Sequence, residues 1–302
     1  SRVDKLKDIV NSDNWCLDYL RVCYNNPNDE YNCTDCRKCL RTYYTLELLG
    51  LRNKAMTFAR YVEGSEFWKY KPRSENEEFF QEEVKNLEKE QFEHNGFLVH
   101  RAVFNEEEVS NFRDASDKLD NTKERVDPVV GVSSVFKKLA GDKRIIDVVE
   151  LLLGDKPFLF KDKIIFKLPG TGGYELHQDY NQFQPFSTEI ISALVAIDSA
   201  DGENGGVELF PGFNHKFYRG NGKMKNNQWQ WREALNSAVD ISKGVLVELK
   251  PGDVIYFHCL TPHRSGHNSS NRPRRMFYPT YSAAGDQYSA HYNHVRKLRN
   301  KI

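Results

Sequence analysis

Apolar and polar positions follow two different rhythms along this chain. From Val3 to Leu20, and again from Leu40 to Phe58, apolar residues recur at roughly helical spacing, with Gly50 placed as a stop between two short helices in the second stretch. Residues 71–90 are polar and charge-dense and read as a linker running into a helix, its charge run a solvated face. Asn95-Gly96 ends that helix, and Phe97 and Val99 begin a strand. Asn105 stands ahead of Glu106-Glu107-Glu108 as the cap of a helix continuing through Phe112 and Leu119. Its side-chain oxygen can accept from a first-turn amide, and the glutamates suit the positive helix end. Gly141 to Leu153 is a further amphipathic helix, stopped at Gly154.

From Pro157 the texture changes to short apolar runs broken by Gly, Pro, Asn and Asp: Phe158–Leu168, Ile190–Ile197, Gly206–Phe210, Gly244–Leu249, Val254–Phe257 and Met276–Tyr281. Strands at such spacing predict an all-β sandwich or barrel. Asn221–Asn236, a polar stretch holding Trp229 and Trp231, reads as an insertion able to fold over a site. A length of 302 residues suits one large domain or two. The two textures divide the chain into residues 1–75, a small helical unit, and residues 76–302.

Charge excludes more than it suggests. Lys and Arg number 43 against 43 for Asp and Glu, so bulk electrostatics imply neither nucleic acid nor an anionic membrane as partner. The sequence holds no apolar run of membrane-spanning length and no charged-then-apolar leader, which predicts a cytoplasmic protein. Ser1 in place of a Met suggests that native residues precede it, and residues 1–75 read as the end of a larger fused domain.

Of six cysteines, Cys16, Cys23, Cys33, Cys36 and Cys39 fall in the first forty residues and only Cys259 lies beyond. A disulfide framework would spread through the fold, whereas clustering favours a metal. Two tight turns place Cys33, Cys36 and Cys39 around one point and Cys23 can close a tetrahedron of thiolates, the geometry of structural Zn(II) in a unit too small to bury much core. Reduced buried cysteines and an iron–sulfur cluster are the alternatives. Leu20-Arg-Val-Cys23-Tyr with Asn32-Cys33 through Cys39-Leu-Arg41-Thr resembles the zinc-binding tail of 7-cyano-7-deazaguanine synthase-like ATP pyrophosphatases. That family's phosphate-binding loop is absent.

The chemistry concentrates in Glu175-Leu176-His177-Gln178-Asp179 and, further on, Thr261-Pro262-His263-Arg264-Ser265. A His and an Asp two apart in an extended chain point to one side, and a second imidazole from a distant strand completes two histidines and one carboxylate on one face of a metal. That set leaves positions open and suits non-haem Fe(II) used to activate O2. Arg274 adds a fixed guanidinium, able to grip the far carboxylate of a dicarboxylic co-substrate, with Ser265 as a further donor. Arg272 and Arg275 read as ordinary surface charges. Lys161, Lys163, Lys167 and Arg264 are placed to favour an anionic group, and Tyr180 and Phe183 to add an aromatic wall.

The order His177-Gln178-Asp179, Asn204-Gly205-Gly206 ahead of Pro211-Gly212, Pro251-Gly252-Asp253-Val-Ile-Tyr-Phe257 and His263-x-Ser265-x-x-Asn268, with Arg274 eleven residues after the histidine, resembles the phytanoyl-CoA dioxygenase family of Fe(II)/2-oxoglutarate oxygenases over about residues 88–285. The resemblance implies a mainly β fold: a double-stranded β-helix, jelly-roll or cupin-like, flanked by helices and preceded here by the zinc-binding unit. It implies iron on His177, Asp179 and His263, 2-oxoglutarate held by Arg274 and Ser265 with Gln178 beside it, and hydroxylation of a small molecule with O2 consumed and succinate and CO2 released. Pro211-Gly-Phe-Asn-His215 departs from the family's Pro-Gly-Ser-His, so His215 is read as a turn residue. Two competing readings are a cupin-like metal enzyme with no use for Arg274, and a silent β scaffold with a zinc docking module.

Overall fold

The computed structural model describes residues 2–283 apart from 13, 26–30, 55, 59–66, 68–70, 120–123, 185, 220–223, 226, 227 and 230–234. Within that range the chain forms two compact units that divide between Gln91 and Phe92, further along than the boundary at 75 expected from the change of texture. The physical reason lies in the helix Glu75–Asn95. Its polar run hides Phe80, Val84 and Leu87 at helical spacing, all buried. Glu77 pairs with Arg37, Tyr44 donates to Glu88, and the Phe80 ring meets Phe67 edge-on. The presumed linker is thus mostly a helix whose sparse apolar stripe packs into the first unit.

That first unit also holds the helix Arg2–Ser12, a 3-10 turn at Asn14–Tyr19, the helix Arg37–Leu48 and a 3-10 turn at Arg52–Lys54. Of the two short helices expected between Leu40 and Phe58, the first ends at Leu48, where Leu49 and Gly50, with φ +71°, turn the chain as the expected stop, and the second is only the 3-10 turn at Arg52–Lys54. Leu6, Leu17, Leu40, Tyr43, Leu46, Leu51 and Phe58 pack with Cys23 and Cys39 into a small core.

The second unit is built on strands β1 (Phe97–His100), β2 (Arg125–Val126), β3 (Phe158–Lys167), β4 (Tyr174–His177), β5 (Ile190–Ala196), β6 (Val207–Leu209), β7 (Met224–Lys225), β8 (Gln228–Trp229), β9 (Val245–Val247), β10 (Val254–His258), β11 (His263–Ser265) and β12 (Arg274–Ser282). A large antiparallel sheet runs β1-β10-β5-β12-β3-β2, and a smaller one runs β4-β11-β6-β9. From β3 to β12 the chain passes large, small, large, small, small, large, small, large, leaving β7 and β8 as a separate two-stranded ribbon. This winding is the double-stranded β-helix. Ile165, Leu194, Val207, Leu209, Phe257 and Met276 fill the space between the sheets, each worth roughly 1.5–3 kcal/mol when fully buried. β5 is buried throughout and apolar but for Ser192, because both its faces are covered.

Helices Glu106–Asp117, Ser134–Ala140 and Lys143–Leu153 flank the sheets. The expected cap at Asn105 is a full capping box, with Asn105 and Glu108 satisfying each other's amides. Gly154 ends its helix with φ +72°. Helical residues outnumber strand residues among those described, so the fold is mixed α/β with a double-stranded β-helix core and not mainly β. The strand-rich second half dominated the sequence pattern, while the helices hid in charge-dense segments. Trp231 and the side chain of Trp229 lie outside the described residues.

Candidate active site and metal centres

Strand pairing brings the two imidazoles together. His177 ends β4, His263 opens β11, and the two are direct partners in the antiparallel ladder, so their rings stand on one face, 4.2 Å between centroids. Each Nδ1 meets a backbone carbonyl two residues back, Glu175 at 2.7 Å and Thr261 at 2.9 Å. A carbonyl only accepts, so Nδ1 carries the proton and Nε2 keeps its lone pair.

Asp179 arrives by a different route from the one expected. It is not part of an extended chain but has helical torsions, φ −59° and ψ −30°, and starts the short helix Tyr180–Phe183. This turn swings the carboxylate back until Oδ1 lies 3.8 Å from His177 Nε2. Donor atoms of His177, Asp179 and His263 all fall within 4.8 Å of one another.

Burial, and then His263, push the His177 pKa down to about 3. Burial alone would raise Asp179, but His263, Lys163, His177 and Lys161 together hold its carboxyl below the usual range. A neutral imidazole beside a buried ionised carboxylate is the protonation state a divalent cation needs. Two nitrogens and one oxygen on one face fit iron and leave its other side open.

The opposite end of the cleft is cationic. Arg274, first residue of β12, is 1% exposed, and its Nε and Nη1 have no hydrogen-bond partner. Unspent donors on a buried cation cost roughly 1–3 kcal/mol or more, which an incoming carboxylate would recover. Ser265, on β11, lines the same cleft. Gln178 does not: its amide nitrogen donates to the carbonyls of Lys216 and Leu260, and its oxygen accepts from the Tyr218 amide. Every polar atom of that side chain serves to pin the 216–218 loop.

Along β3, Lys161, Lys163, Ile165 and Lys167 alternate onto one face, opposite Thr280, Tyr278, Met276 and Arg274 of β12. Lys163 lines the cleft, lies over the Tyr278 ring and is lowered to about 8, first by burial and then by Lys161. Lys161 lies over Phe183, and Lys167 is fully buried and not at the mouth. Arg264 lines the cleft while pairing with Glu208 of β6. His215 is exposed in its turn. Arg272 pairs with Asp201 and Arg275 with Asp198 and Asp117. Arg125 and Tyr278 also line the cleft. The signal for Tyr278 was its spacing of four from Arg274 on one strand, whereas Arg125 sits in a two-residue strand with no sequence pattern of its own.

In the first unit Cys36 caps the helix Arg37–Leu48 and Cys39 lies in its first turn, which sets their sulfurs 3.5 Å apart. Cys23 and Cys36 sulfurs are 4.0 Å apart, as are those of Cys33 and Cys39. A tetrahedron with metal–sulfur bonds of about 2.3 Å has sulfur–sulfur edges of about 3.8 Å. The Cys36 amide donates to Cys33 Sγ at 3.4 Å, and Thr34 adopts φ +60° to complete the turn. Asn32, fully buried, holds the Val22 and Cys23 amides through Oδ1 and the Leu20 carbonyl through Nδ2. Burial raises the Cys36 and Cys39 thiols, a cost that a bound cation removes. Cys16 is not part of the cage.

Among known proteins, methylphosphonate hydroxylase of Gimesia maris is 31% identical over 175 residues, 57% of this chain and 64% of that protein. The 2-aminoethylphosphonate dioxygenase of an uncultured bacterium is 30% identical over 172 residues, 57% of this chain and 63% of the relative. The chain thus spans under two thirds of the length of these relatives. In fold it is similar to EctD from S. alaskensis with 2-oxoglutarate and 5-hydroxyectoine, with a TM-score of 0.56 at 22% identity over 65% of this chain and 74% of that one. SnoN, an epimerase from nogalamycin biosynthesis, gives 0.57 at 22% identity over 67% of this chain and 82% of its own. None of these comparisons supports the likeness of the cysteine segment to an ATP pyrophosphatase tail. Residues 92–276 match the family model, and the chain belongs to the phytanoyl-CoA dioxygenase (PhyH) family.

Proposed function

We propose that this chain is an Fe(II)- and 2-oxoglutarate-dependent oxygenase that hydroxylates a C–H bond of a small molecule carrying an anionic group. His177, Asp179 and His263 would hold the iron, Arg274 and Ser265 the far carboxylate of 2-oxoglutarate. Bound together, the metal and co-substrate would supply an O2-derived oxidant, with succinate and CO2 released. The carrying observation is that the His–Asp–His donors share a cleft with a buried arginine whose donors are unspent. A cupin-like enzyme without co-substrate gives that arginine no purpose.

The chain's own contributions follow from their positions. The Glu175 and Thr261 carbonyls fix the ring tautomers and aim both Nε2 atoms to one side. Phe257, with its ring 5.0 Å from that of His263, and Leu194 keep that side dry. Lys163 and Arg125 would attract the substrate's anion toward Asp179. Two relatives named for phosphonates favour a phosphonate as that anion. We also assign Zn(II) to the thiol cage as a structural ion, since four protein ligands leave no open position, and place the protein in the cytoplasm, where thiols are kept reduced and able to hold such an ion.

The test is succinate release by Fe(II)-loaded protein with O2 and 2-oxoglutarate across methylphosphonate, 2-aminoethylphosphonate, amino acids and acyl thioesters. Succinate rising with a phosphonate supports the full reading, and a rise with an uncharged compound removes the anionic part. No succinate and no binding of 2-oxoglutarate would sink it.

A further inference from the structure

Lys167, the last residue of β3, has no exposed surface, a costly place for an ammonium. Its Nζ donates to Ser265 Oγ at 2.9 Å and to the Gly266 carbonyl. The Tyr174 amide also reaches Ser265 Oγ, at 3.4 Å. An ammonium and an amide N–H can only donate, so Ser265 accepts twice and its own proton is left to be given away. The Tyr174 hydroxyl donates to Glu124 Oε1 at 2.7 Å.

Arg274 is the ladder partner of Lys167. Lys167 is pushed down to about 8, first by burial and then by Arg274, with Glu124 pulling the other way. Among the described residues no carboxylate forms an ion pair with either cation. Gly205, at φ +77°, makes room for the lysine: a Cβ there would lie 2.9 Å from Lys167 Cδ and 3.0 Å from Nζ. Three donor groups thus converge with their hydrogens unspent, Arg274 Nε, Arg274 Nη1 and the Ser265 hydroxyl, and a second buried cation backs them.

We infer that Lys167 is a positioning residue for the distal carboxylate of the dicarboxylate co-substrate, fixing the Ser265 hydroxyl as a donor and adding a second buried positive charge beside Arg274. The inference rests on the oxygenase reading. It explains why a lysine is tolerated in the core of a sheet, and it makes the far end of the slot selective for a second carboxylate over an alkyl end.

The experiment is calorimetric titration of the full chain, loaded with Ni(II) so that nothing turns over, with 2-oxoglutarate and with 2-oxopentanoate, which lacks the distal carboxylate. Lys167→Met should weaken 2-oxoglutarate about tenfold or more, the scale of a lost charge-assisted contact, and leave 2-oxopentanoate unchanged. In a Ser265→Ala background the same change should cost clearly less, since part of its effect passes through that hydroxyl. Lys167→Gln, which still donates but carries no charge, should fall between wild type and Met. The unfolding midpoint of the ligand-free protein should not fall in either variant. Equal 2-oxoglutarate affinity in wild type and both variants, an equal loss for both oxo acids, or failure of both variants to fold would overturn the role of Lys167. Should wild type bind 2-oxoglutarate no better than 2-oxopentanoate, the co-substrate reading itself falls, and the inference with it.

Discussion

The two donor clusters of this chain solve opposite problems. The cysteine cage is made of four sulfurs from one short stretch, wrapped around a helix start in a unit with a small apolar core. The His–Asp–His set draws its members from two strands and a turn of a sandwich whose interior is already filled. In the first unit the metal would be part of the core; in the second it would be a guest on a finished scaffold. A closed tetrahedron stabilises, while an open face leaves room for chemistry. Removing a ligand from each should therefore give opposite results.

The largest effect is expected from Asp179→Ala. Turnover should drop to background while the unfolding midpoint stays within a few degrees of wild type, checked by succinate assay and thermal unfolding on one preparation. Undiminished succinate would remove Asp179 from the site. Cys36→Ser should do the reverse. It should lower bound zinc per chain and loosen residues 1–91, because zinc held by such cages contributes about 10–16 kcal/mol of apparent folding free energy. Elemental analysis and hydrogen exchange across the two units would read it. Amides of the strands β3 to β12 should keep their protection, and unchanged zinc in the variant would break the contrast.

The clusters also differed in how far the sequence disclosed them. Cys33, Cys36 and Cys39 are three apart, so local turns alone bring them together, and Cys23 is close enough to join. For the active site, the spacing of His177 and Asp179 suggested partnership for the wrong geometric reason: an extended chain was expected where a helical turn does the work. Arg274 drew notice because a fixed cation after the second histidine would have a chemical purpose, and it lies buried in the same cleft with unspent donors. Gln178 drew notice from its place between two candidate metal ligands, but that place says nothing of where an amide points, and here it points to backbone. Lys167 was legible only as one of three alternating lysines. Which of them faces the cleft and which is sealed behind Ser265 depends on the β3–β12 register, which no local pattern carries. The helix Glu75–Asn95 was underestimated because its buried positions are sparse among glutamates.

The lysine stripe allows a finer comparison within the second unit. Lys163 lines the cleft near Asp179, and Lys167 backs the Arg274 end. Lys163→Met should raise KM for an anionic substrate about tenfold, the scale of a charge-assisted hydrogen bond, with 2-oxoglutarate affinity nearly constant. Lys167→Met should do the converse. If both variants changed the same constant, the division of the cleft into a substrate end and a co-substrate end would be wrong.

The smallest effect separates the two lysines by pH. Lys167 is faced by Arg274 from β12, Tyr174 from β4 and Glu124 ahead of β2, and its pKa near 8 lies below the 10.5 of a free lysine. A bound carboxylate favours the charged form and raises that pKa, so 2-oxoglutarate binds together with a proton when pH exceeds about 8. Its affinity should be flat below pH 7.5 and then decline, by at most about a factor of ten per pH unit for one linked proton. Tyr174 is held above its ordinary range by burial and Glu124, so it does not supply the slope. Lys163 falls near 8 as well, which makes the paired measurement necessary. In Ni(II)-loaded protein the decline should persist in Lys163→Met and vanish in Lys167→Met. A slope that followed Lys163 instead would place the co-substrate's charge at the other end of the cleft, and Arg274's unspent donors would then belong to the substrate.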